Sequence, residues 1–233
     1  MTTAISAPPL ATTHRETPVR LGKLGGVGGL VFAGSVLVQN GLRATFPAND
    51  VNAAEVMKYY TDHRGVTLAL AVLMPLGLVG LTTFLGAVLS RVALGAGRAP
   101  AVAGAFGAAG IIATFTMLAA FDVAIAGYVH RGAADVAVVD GMWVTHNAVF
   151  GLLLASIGVA LAGLTRAATA TGLLSTRWRG AVLVGGGLLV VGAMTTPAII
   201  DGSPTMFIGV AGFVVWVAFV IRTSVALLRQ PQV

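Results

Sequence analysis

The chain contains no cysteine among its 233 residues, which excludes disulfide bonds, thiolate metal sites and a cysteine nucleophile. Charged residues are also scarce, at 9% of the chain, whereas apolar residues make up 57%. A soluble domain usually has roughly 25% charged residues to cover its surface. The composition therefore predicts that lipid is the main solvent of this protein.

Several functional signatures are missing as well. The sequence has no glycine-rich phosphate loop followed by lysine, no H-E-x-x-H zinc motif and no G-x-S-x-G nucleophile motif. Nucleotide-driven transport and standard hydrolysis are therefore not supported. The net charge of +6 comes without a basic cluster interleaved with aromatic residues, so no nucleic-acid partner is expected.

Six long apolar runs are the main feature that is present. A helix needs roughly 20 apolar residues to cross the hydrocarbon core of a membrane. The runs are continuous rather than alternating, which favours helices over the strands of a membrane barrel. The sequence predicts an all-α membrane bundle of six helices in three antiparallel hairpins. The predicted spans are Leu24–Leu42, Val66–Leu89, Ala101–Tyr128, Met142–Leu164, Ala181–Ile200 and Met206–Ile221.

The distribution of Lys and Arg predicts the orientation, because basic loops beside helix ends are retained in the cytoplasm. One side of the predicted membrane carries ten of the basic residues. The other side carries four basic residues and six acidic ones. A multi-pass protein of the cell membrane with both termini in the cytoplasm is therefore expected. The ten residues are Arg15, Arg20, Lys23, Arg91, Arg98, Arg166, Arg177, Arg179, Arg222 and Arg229.

The chain is predicted to have one transmembrane domain and two tails. Residues 1–23 are rich in Thr, Ala and Pro and are predicted to be a disordered cytoplasmic tail. Residues 24–223 form the transmembrane domain, and residues 224–233 form a cytoplasmic C-terminal tail. No cleavage site of small residues precedes Arg43, so the first run is interpreted as an uncleaved helix rather than a signal peptide.

The longest outer loop, residues 43–64, is predicted to contain a short helix on the outer membrane surface. Asn49 or Asp50 can cap its N-terminus, and Asn52 with Glu55 has the spacing of a capping box.

The face of this short helix is formed by Val56, Tyr59, Tyr60 and His63, which recur at helical spacing. Two roles are open for it. The helix is either an interfacial anchor with its tyrosines at headgroup depth or a lid over a cavity between the spans.

A candidate polar pocket is predicted around Asp122, the carboxylate that lies well inside a predicted span. An unpaired carboxylate there costs at least ~2.5–3.5 kcal/mol on insertion scales, so it needs a partner, a proton or water. His146 and Asn147 enter from the same side in the next span, at similar depth. Two interpretations remain open: a proton-accepting or ligand-binding pair with Asn147, Thr145 and Thr116 as neighbours, or a hydrogen bond that joins two helices.

Three histidines, His63, His130 and His146, fall on the predicted outer side. With neighbouring aspartates they have the ligand types of a zinc or copper site. No two of them share a helix face by spacing, so the alternative is that they are ordinary surface histidines. No cofactor is predicted.

Secondary candidates lie near the outer ends of the later spans. Thr195 and Thr196 precede Pro197, which frees a carbonyl and predicts a kink that shapes an outer cavity. Asp140 and Asp201 lie near helix N-termini, where capping and the helix dipole favour acids. A weak repeat of three related hairpins is the alternative explanation for these aspartates.

The remaining aromatic and small residues are interpreted structurally. Trp143, Trp178 and Tyr128 are predicted to be interfacial anchors. Small residues are predicted to let helices approach closely. The latter are Gly25, Gly29, Ala103, Gly107, Gly185, Gly186 and Gly187.

Two stretches of the chain carry a sequence pattern that is found in other membrane proteins. Residues 52–65, Asn-Ala-Ala-Glu-Val-Met-Lys-Tyr-Tyr-Thr-Asp-His-Arg-Gly, lead into the second apolar run, and residues 171–180, Thr-Gly-Leu-Leu-Ser-Thr-Arg-Trp-Arg-Gly, lead into the fifth. Together they resemble a large group of uncharacterised actinobacterial multi-pass membrane proteins, although Ser175 stands where that group has proline and Arg177 precedes Trp178. The resemblance implies a six-helix fold and an actinobacterial source, and it implies no activity, cofactor or catalytic residue.

Three classes of function stay open. The first is a component that binds or transports a small molecule, a lipid or a proton through an outward-facing pocket around Asp122 and His146. The second is a membrane-embedded enzyme acting on a lipid or isoprenoid, with Asp122 as general acid and His146 as base or metal ligand. The third is a non-catalytic accessory subunit. Expected partners are the lipid bilayer, a small-molecule or lipid ligand, and another membrane protein or a second copy of the chain.

Overall fold

The computed structural model describes residues 17–92, 98–132 and 134–229, and these residues form helices without any strand. The N-terminal part of the predicted tail, residues 1–16, and the last four residues, 230–233, lie outside the described ranges. The helices are α1 Thr17–Arg43, α2 Ala53–Asp62, α3 Arg64–Val92, α4 Arg98–His130, α5 Val136–Ala170, α6 Trp178–Met194, α7 Thr196–Ile200 and α8 Met206–Arg229.

Within the described ranges, five helices are long and apolar enough to cross a membrane. This confirms the prediction of a multi-pass helical bundle. The fifth predicted span is divided, because α6 ends at Met194 and the short α7 begins at Thr196. Pro197 in the first turn of α7 has no N–H to continue the hydrogen bonding of α6. The crossing helices are Leu21–Arg43, Arg64–Arg91, Arg98–His130, Val136–Ala170 and Met206–Arg229.

The helices pack most extensively in the pairs α1 with α3 and α4 with α5. Helix α6 packs against α5 and α8, and α8 also contacts α1. Helix α5 lies at the centre, since it touches α2, α3, α4, α6, α7 and α8. Large apolar side chains such as Val72, Phe106 and Leu183 are exposed on the perimeter, as expected for helices that face lipid.

Small residues let paired helices approach to backbone contact. A Cβ built on Gly163 of α5 would lie 2.6 Å from the Cα of Gly104 on α4, and one built on Gly212 of α8 would lie 2.6 Å from the carbonyl oxygen of Gly185 on α6. Close approach of this kind is the main source of helix association in lipid. The predicted packing role is thus confirmed for Gly185 but is wrong for Gly187, which has open space around it.

Helix α2 packs at one end of the bundle, against the C-terminal part of α4 and the N-terminal part of α5, and Tyr59 contacts Thr45 just after α1. We call this end the α2 end. Asn52 is the N-cap, because its side-chain oxygen accepts a hydrogen bond from the backbone N–H of Glu55 at 3.1 Å. The cap is therefore at Asn52 rather than at Asn49 or Asp50, and the Glu55 side chain accepts a hydrogen bond from the side-chain amide of Asn52 at 3.0 Å instead of closing a capping box.

The apolar face of α2 is buried against α4 and α5. Val56, Tyr59 and Tyr60 are buried, whereas His63 is exposed and stacks on Tyr59 with ring centroids 4.4 Å apart. The rings of both tyrosines pack inside the protein rather than against lipid headgroups, which argues against the interfacial-anchor alternative.

Candidate functional site

A polar cluster of four side chains, three of them buried and the fourth partly exposed, lies at the α2 end, where α1, α2, α4 and α5 meet. It consists of Arg43, Tyr60, Asp122 and His146. Asp122 is 1% exposed and His146 is 4% exposed. The guanidinium of Arg43 donates from Nη2 to Oδ2 of Asp122 at 2.6 Å and from Nη1 to Nε2 of His146 at 3.1 Å. The hydroxyl of Tyr60 donates a hydrogen bond to Oδ1 of Asp122 at 2.8 Å.

Each member of the polar cluster is positioned by its own helix. Arg43 is the last residue of α1, where a positive charge also interacts favourably with the helix dipole. Asp122 lies on the inward face of α4 with Leu118 and Ile125, at the spacing of successive helical turns. His146 lies one turn after Trp143 on the inward face of α5. Spacing within each helix places Asp122 and His146 on inward faces, and the packing of the four helices brings them together with Arg43 and Tyr60.

The side-chain carboxyl group of Asp122 has a donor on each oxygen: Arg43 on one and Tyr60 on the other. A buried ion pair is tolerated only when its remaining hydrogen-bonding capacity is also satisfied. Burial, followed by the negative charge of Asp122, raises the pKa of the Tyr60 hydroxyl above its usual range. Tyr60 consequently stays protonated and acts as a donor.

The neutral form of His146 satisfies its hydrogen bonds to Arg43 and Asn147 in one tautomer. Nε2 accepts from Arg43, so Nδ1 carries the proton and donates to Oδ1 of Asn147 at 3.1 Å. Nε2 also lies 3.4 Å from Oδ1 of Asp122. A proton added to Nε2 would therefore turn His146 from an acceptor for Arg43 into a donor to Asp122.

Aromatic rings enclose the polar cluster. The ring of Trp143 stacks on that of His146 with centroids 5.2 Å apart and planes 4° apart. The ring of Phe46 lies 5.2 Å from the Cζ atom of Arg43, within cation–π range. Trp143 is 2% exposed, so its predicted role as an interfacial anchor was wrong. The rings limit the contact of the charges with water, since the Arg43 side chain is 13% exposed and that of Asp122 is 2% exposed, and this strengthens their interactions.

Two hydrogen bonds hold the segment between α1 and α2 in place beside the polar cluster. The side-chain amide of Asn147 donates to the backbone oxygen of Asn49 at 3.4 Å. The side chain of Asn49 in turn donates to the backbone oxygen of Ile199 at 3.1 Å. These two bonds link the segment to α5 and α7.

An apolar cavity of about 40 Å³ lies beside the polar cluster, between α1, α4, α5 and α8. Arg43, Gln39 and Asn40 form its polar wall, and its other walls include Phe115 and Phe150. The side-chain oxygen of Gln39 is buried without a hydrogen-bond partner among the described residues. We call this space the Arg43 cavity.

The predicted pocket residues divide into two groups. Asp122, His146 and Asn147 come together, as described above. Thr145 and Thr116 are exposed, and their hydroxyls donate to carbonyl oxygens of their own helices at 2.7 and 2.8 Å. They therefore lie outside the polar cluster.

The secondary candidates do not join the polar cluster either. His63, His130, Asp140 and Asp201 are all exposed. In the part of the chain that the structure describes, no three His, Asp or Glu side chains are gathered as metal ligands. His63, His130 and His146 in particular lie apart.

The two threonines before Pro197 serve the break between α6 and α7. Thr195 is the residue between the helices, and its hydroxyl donates to the carbonyl oxygen of Gly192 at 2.9 Å. Thr196 is buried and donates to that of Ala193 at 2.6 Å. These hydroxyls satisfy carbonyls at the end of α6, as the kink interpretation requires.

Two residues of the polar cluster were not among the predicted site residues. Arg43 had been placed on the outer side only as one of its four basic residues, and Tyr60 only as part of the α2 face. A signal for Arg43 exists, because a buried acid needs a partner and Arg43 ends a span on the side of Asp122. Tyr60 has no comparable signal, because its contact depends on how α2 docks.

Comparison of the chain with family models, curated proteins and solved structures finds no match. The fold itself defines the class: a bundle of apolar helices consistent with an integral, multi-pass membrane protein. The resemblance to actinobacterial membrane proteins stays a prediction.

Proposed function

We propose that this protein binds a small, weakly acidic molecule together with a proton, as a binding or transport component of the cell membrane. The polar cluster and the Arg43 cavity form the binding centre. The observation that carries the proposal is the position of Arg43. Arg43 lines an apolar cavity, and its guanidinium is held by Asp122 and His146.

The proposed topology has six crossings, with α6 and α7 together forming one of them over residues 178–200. Three antiparallel hairpins, α1 with α3, α4 with α5, and α6 with α8, are supported by the packing of these pairs. Both termini are cytoplasmic in this arrangement and the α2 end faces outward. The support is the excess of Lys and Arg at the opposite end of the bundle.

Charge balance supports the coupling to a proton. The polar cluster holds one positive guanidinium and one carboxylate, so its charges cancel. An anion bound beside Arg43 would leave a net buried negative charge, which is costly in an apolar environment. A proton taken up by the His146–Asp122 pair restores neutrality and, on His146, removes the acceptor that holds Arg43.

The dimensions of the Arg43 cavity limit the ligand. A space of about 40 Å³ holds only a few water-sized groups, because each needs roughly 10–15 Å³ on this scale. Its walls are aromatic and aliphatic except near Arg43. The ligand class that fits is a small monocarboxylic acid with a short apolar body.

The test is isothermal titration of the purified full-length protein in mild detergent with acetate, butyrate and hexanoate. Each titration is repeated in two buffers that differ in ionisation enthalpy. We expect saturable binding with uptake of about one proton per ligand. Binding without proton uptake, or no binding of any of the three acids, would contradict the proposal.

Variants assign the roles. Arg43→Gln is expected to abolish binding. Asp122→Asn removes the carboxylate that competes with the ligand for Arg43. Binding should therefore persist without proton uptake. The bound acid should also raise the unfolding temperature of this variant. The matched control is Asp62→Asn, which alters an exposed carboxylate paired with Lys58 at 2.7 Å and should change nothing.

A second candidate role comes from the same contacts. Every charged atom pair in the polar cluster joins different helices, so the cluster also ties α1, α2, α4 and α5 together. In a non-catalytic accessory subunit, holding these four helices together would be the only role of the polar cluster. Such a role is supported if the three acids do not bind and native mass spectrometry from mild detergent shows a stably associated membrane protein.

A further inference from the structure

A second space lies on the other side of Tyr60, between α2, α3 and α4. It is a groove of about 290 Å³, which we call the α3–α4 groove. We infer that it binds an anionic phospholipid of the surrounding membrane, with the phosphate at Arg64 and His130 and the start of one acyl chain between α3 and α4. The groove is separate from the Arg43 cavity, so this inference is independent of the proposed function.

The depth of the groove matches the boundary between headgroups and acyl chains. Arg64 is the first residue of one membrane-crossing helix, and His130 is the last residue of the next one. Both side chains line the groove and both are exposed. Basic residues at span ends lie where lipid phosphates are found.

The charge of the groove mouth complements a phosphate. Among the described residues, neither Arg64 nor His130 has a carboxylate oxygen within 4.0 Å. The neighbouring acid Asp62 is already paired with Lys58 at 2.7 Å. The guanidinium of Arg64 is therefore available for an anionic group that the protein itself does not supply.

A buried hydroxyl in the groove wall also lacks a partner. Thr67 is 3% exposed, and its Oγ1 has no hydrogen-bond partner among the described residues. It lies one helical turn below Arg64 in the same wall. This oxygen has almost no accessible surface of its own, so the polar contacts to a bound lipid come from Arg64 and His130 at the mouth.

Below the polar mouth, the groove walls become apolar and face the membrane. Leu68 and Val123 line opposite walls and are 57% and 51% exposed. An exposed apolar groove between two crossing helices is surrounded by acyl chains, so an acyl chain is its natural occupant. A free phosphate would fill only the mouth and leave this part empty.

The groove and the polar cluster share Tyr60. Tyr60 lines the groove, and its hydroxyl donates a hydrogen bond to Asp122. A lipid held in the groove would therefore pack against α2 and help keep Tyr60 in place. Lipid binding should raise the unfolding temperature of the protein.

The experiment uses purified full-length protein in mild detergent and native mass spectrometry, with thermal unfolding as a second readout. The probes are phosphatidylglycerol, phosphatidylcholine and inorganic phosphate. We expect phosphatidylglycerol to bind about fivefold more tightly than phosphatidylcholine, the effect of one basic residue near an anionic lipid. Equal binding of the two lipids would overturn the inference, and so would binding of inorganic phosphate as tight as that of phosphatidylglycerol.

Two variants locate the site. Arg64→Gln should remove the preference for phosphatidylglycerol. Gly127→Leu should fill the groove and weaken binding of both lipids, and it should fold because a Cβ at Gly127 meets no atom within 4 Å. Full lipid binding by Gly127→Leu would show that the lipid sits elsewhere.

The matched control is Arg131→Gln, which removes an exposed arginine next to His130 that does not line the groove. Its lipid preference should equal that of the wild-type protein. A loss as large as in Arg64→Gln would mean that general surface charge, and not the groove, selects the lipid. Binding of small acids at the Arg43 cavity should be unchanged in all three variants.

Discussion

The two ends of the bundle are held together by different interactions. At the α2 end, four helices meet through the ion pair of Arg43 and Asp122 and its hydrogen bonds to Tyr60 and His146. Towards the other end, α4 and α5 meet through the bare backbones of Gly104 and Gly163.

This difference separates two kinds of specificity. In an apolar surrounding, a charge that loses its partner is costly, so the polar cluster depends on the identity of each residue. The glycine contact contains no polar side chain and depends only on size. The α2 end should therefore respond to changes of charge, and the opposite end to changes of volume.

The largest effect is expected from Asp122→Leu, which leaves the partly buried guanidinium of Arg43 without its carboxylate partner. The free energy of unfolding should fall by about 3–5 kcal/mol. The double variant Arg43→Met with Asp122→Leu should recover most of this loss, because neither charge is then left alone. Thermal unfolding in mild detergent measures both, and a double variant as unstable as the single one would contradict the ion-pair explanation.

Tyr60→Phe tests the hydrogen bond to the carboxylate without removing a charge. Its loss should cost about 1.5–3 kcal/mol, since the acceptor is ionised. Tyr59→Phe is the matched change on the same helix, where the hydroxyl contacts the neutral Oγ1 of Thr45 at 2.7 Å, and it should cost only about 0.5–1.5 kcal/mol. Equal costs in the same unfolding assay would argue against an ionised Asp122.

Gly163→Ala tests the size dependence of the opposite end. The added methyl group would lie 2.6 Å from the Cα of Gly104, so α4 and α5 must separate, at a cost of about 1–3 kcal/mol. Gly187→Ala is the control, because that position has open space and alanine stabilises a helix by up to about 1 kcal/mol. Equal unfolding temperatures of Gly163→Ala and Gly187→Ala would contradict the size dependence of this contact.

The smallest effect is expected at the exposed pair of Lys58 and Asp62 on α2. The hydrogen bond to Lys58, with its positive charge, lowers the pKa of Asp62, and the same bond raises the pKa of Lys58. The contribution of Asp62 is thus present at neutral pH and is lost as the pH falls through its lowered folded-state pKa. That of Lys58 is lost only as the pH rises through its raised folded-state pKa, in strong alkali.

Because solvent and salt screen this pair, Asp62→Asn should leave the unfolding temperature near pH 7 almost unchanged. A small difference from the wild-type protein should disappear in acid. A large loss at neutral pH would mean that α2 is held mainly by its surface charges rather than by its buried face.

Local signals account for what could be predicted from the sequence. The length of the apolar runs predicted the crossing helices, because crossing a hydrocarbon core is a requirement on each segment alone. The cap of α2 was predicted as one of the alternatives, because Asn52 and Glu55 are three residues apart and meet within one turn. The break before α7 was visible in Pro197 for the same reason.

For the site, the sequence by itself determined that Asp122 needed a partner at the depth of His146, because lipid rejects an unpaired charge. Only the tertiary structure decided that Arg43 stands between them and that Tyr60 covers them, because these contacts depend on the docking and rotation of separate helices. The same rotation left Thr116 on an exposed face of α4. Residues on one helix are related by spacing alone, whereas residues on four helices are related only by packing.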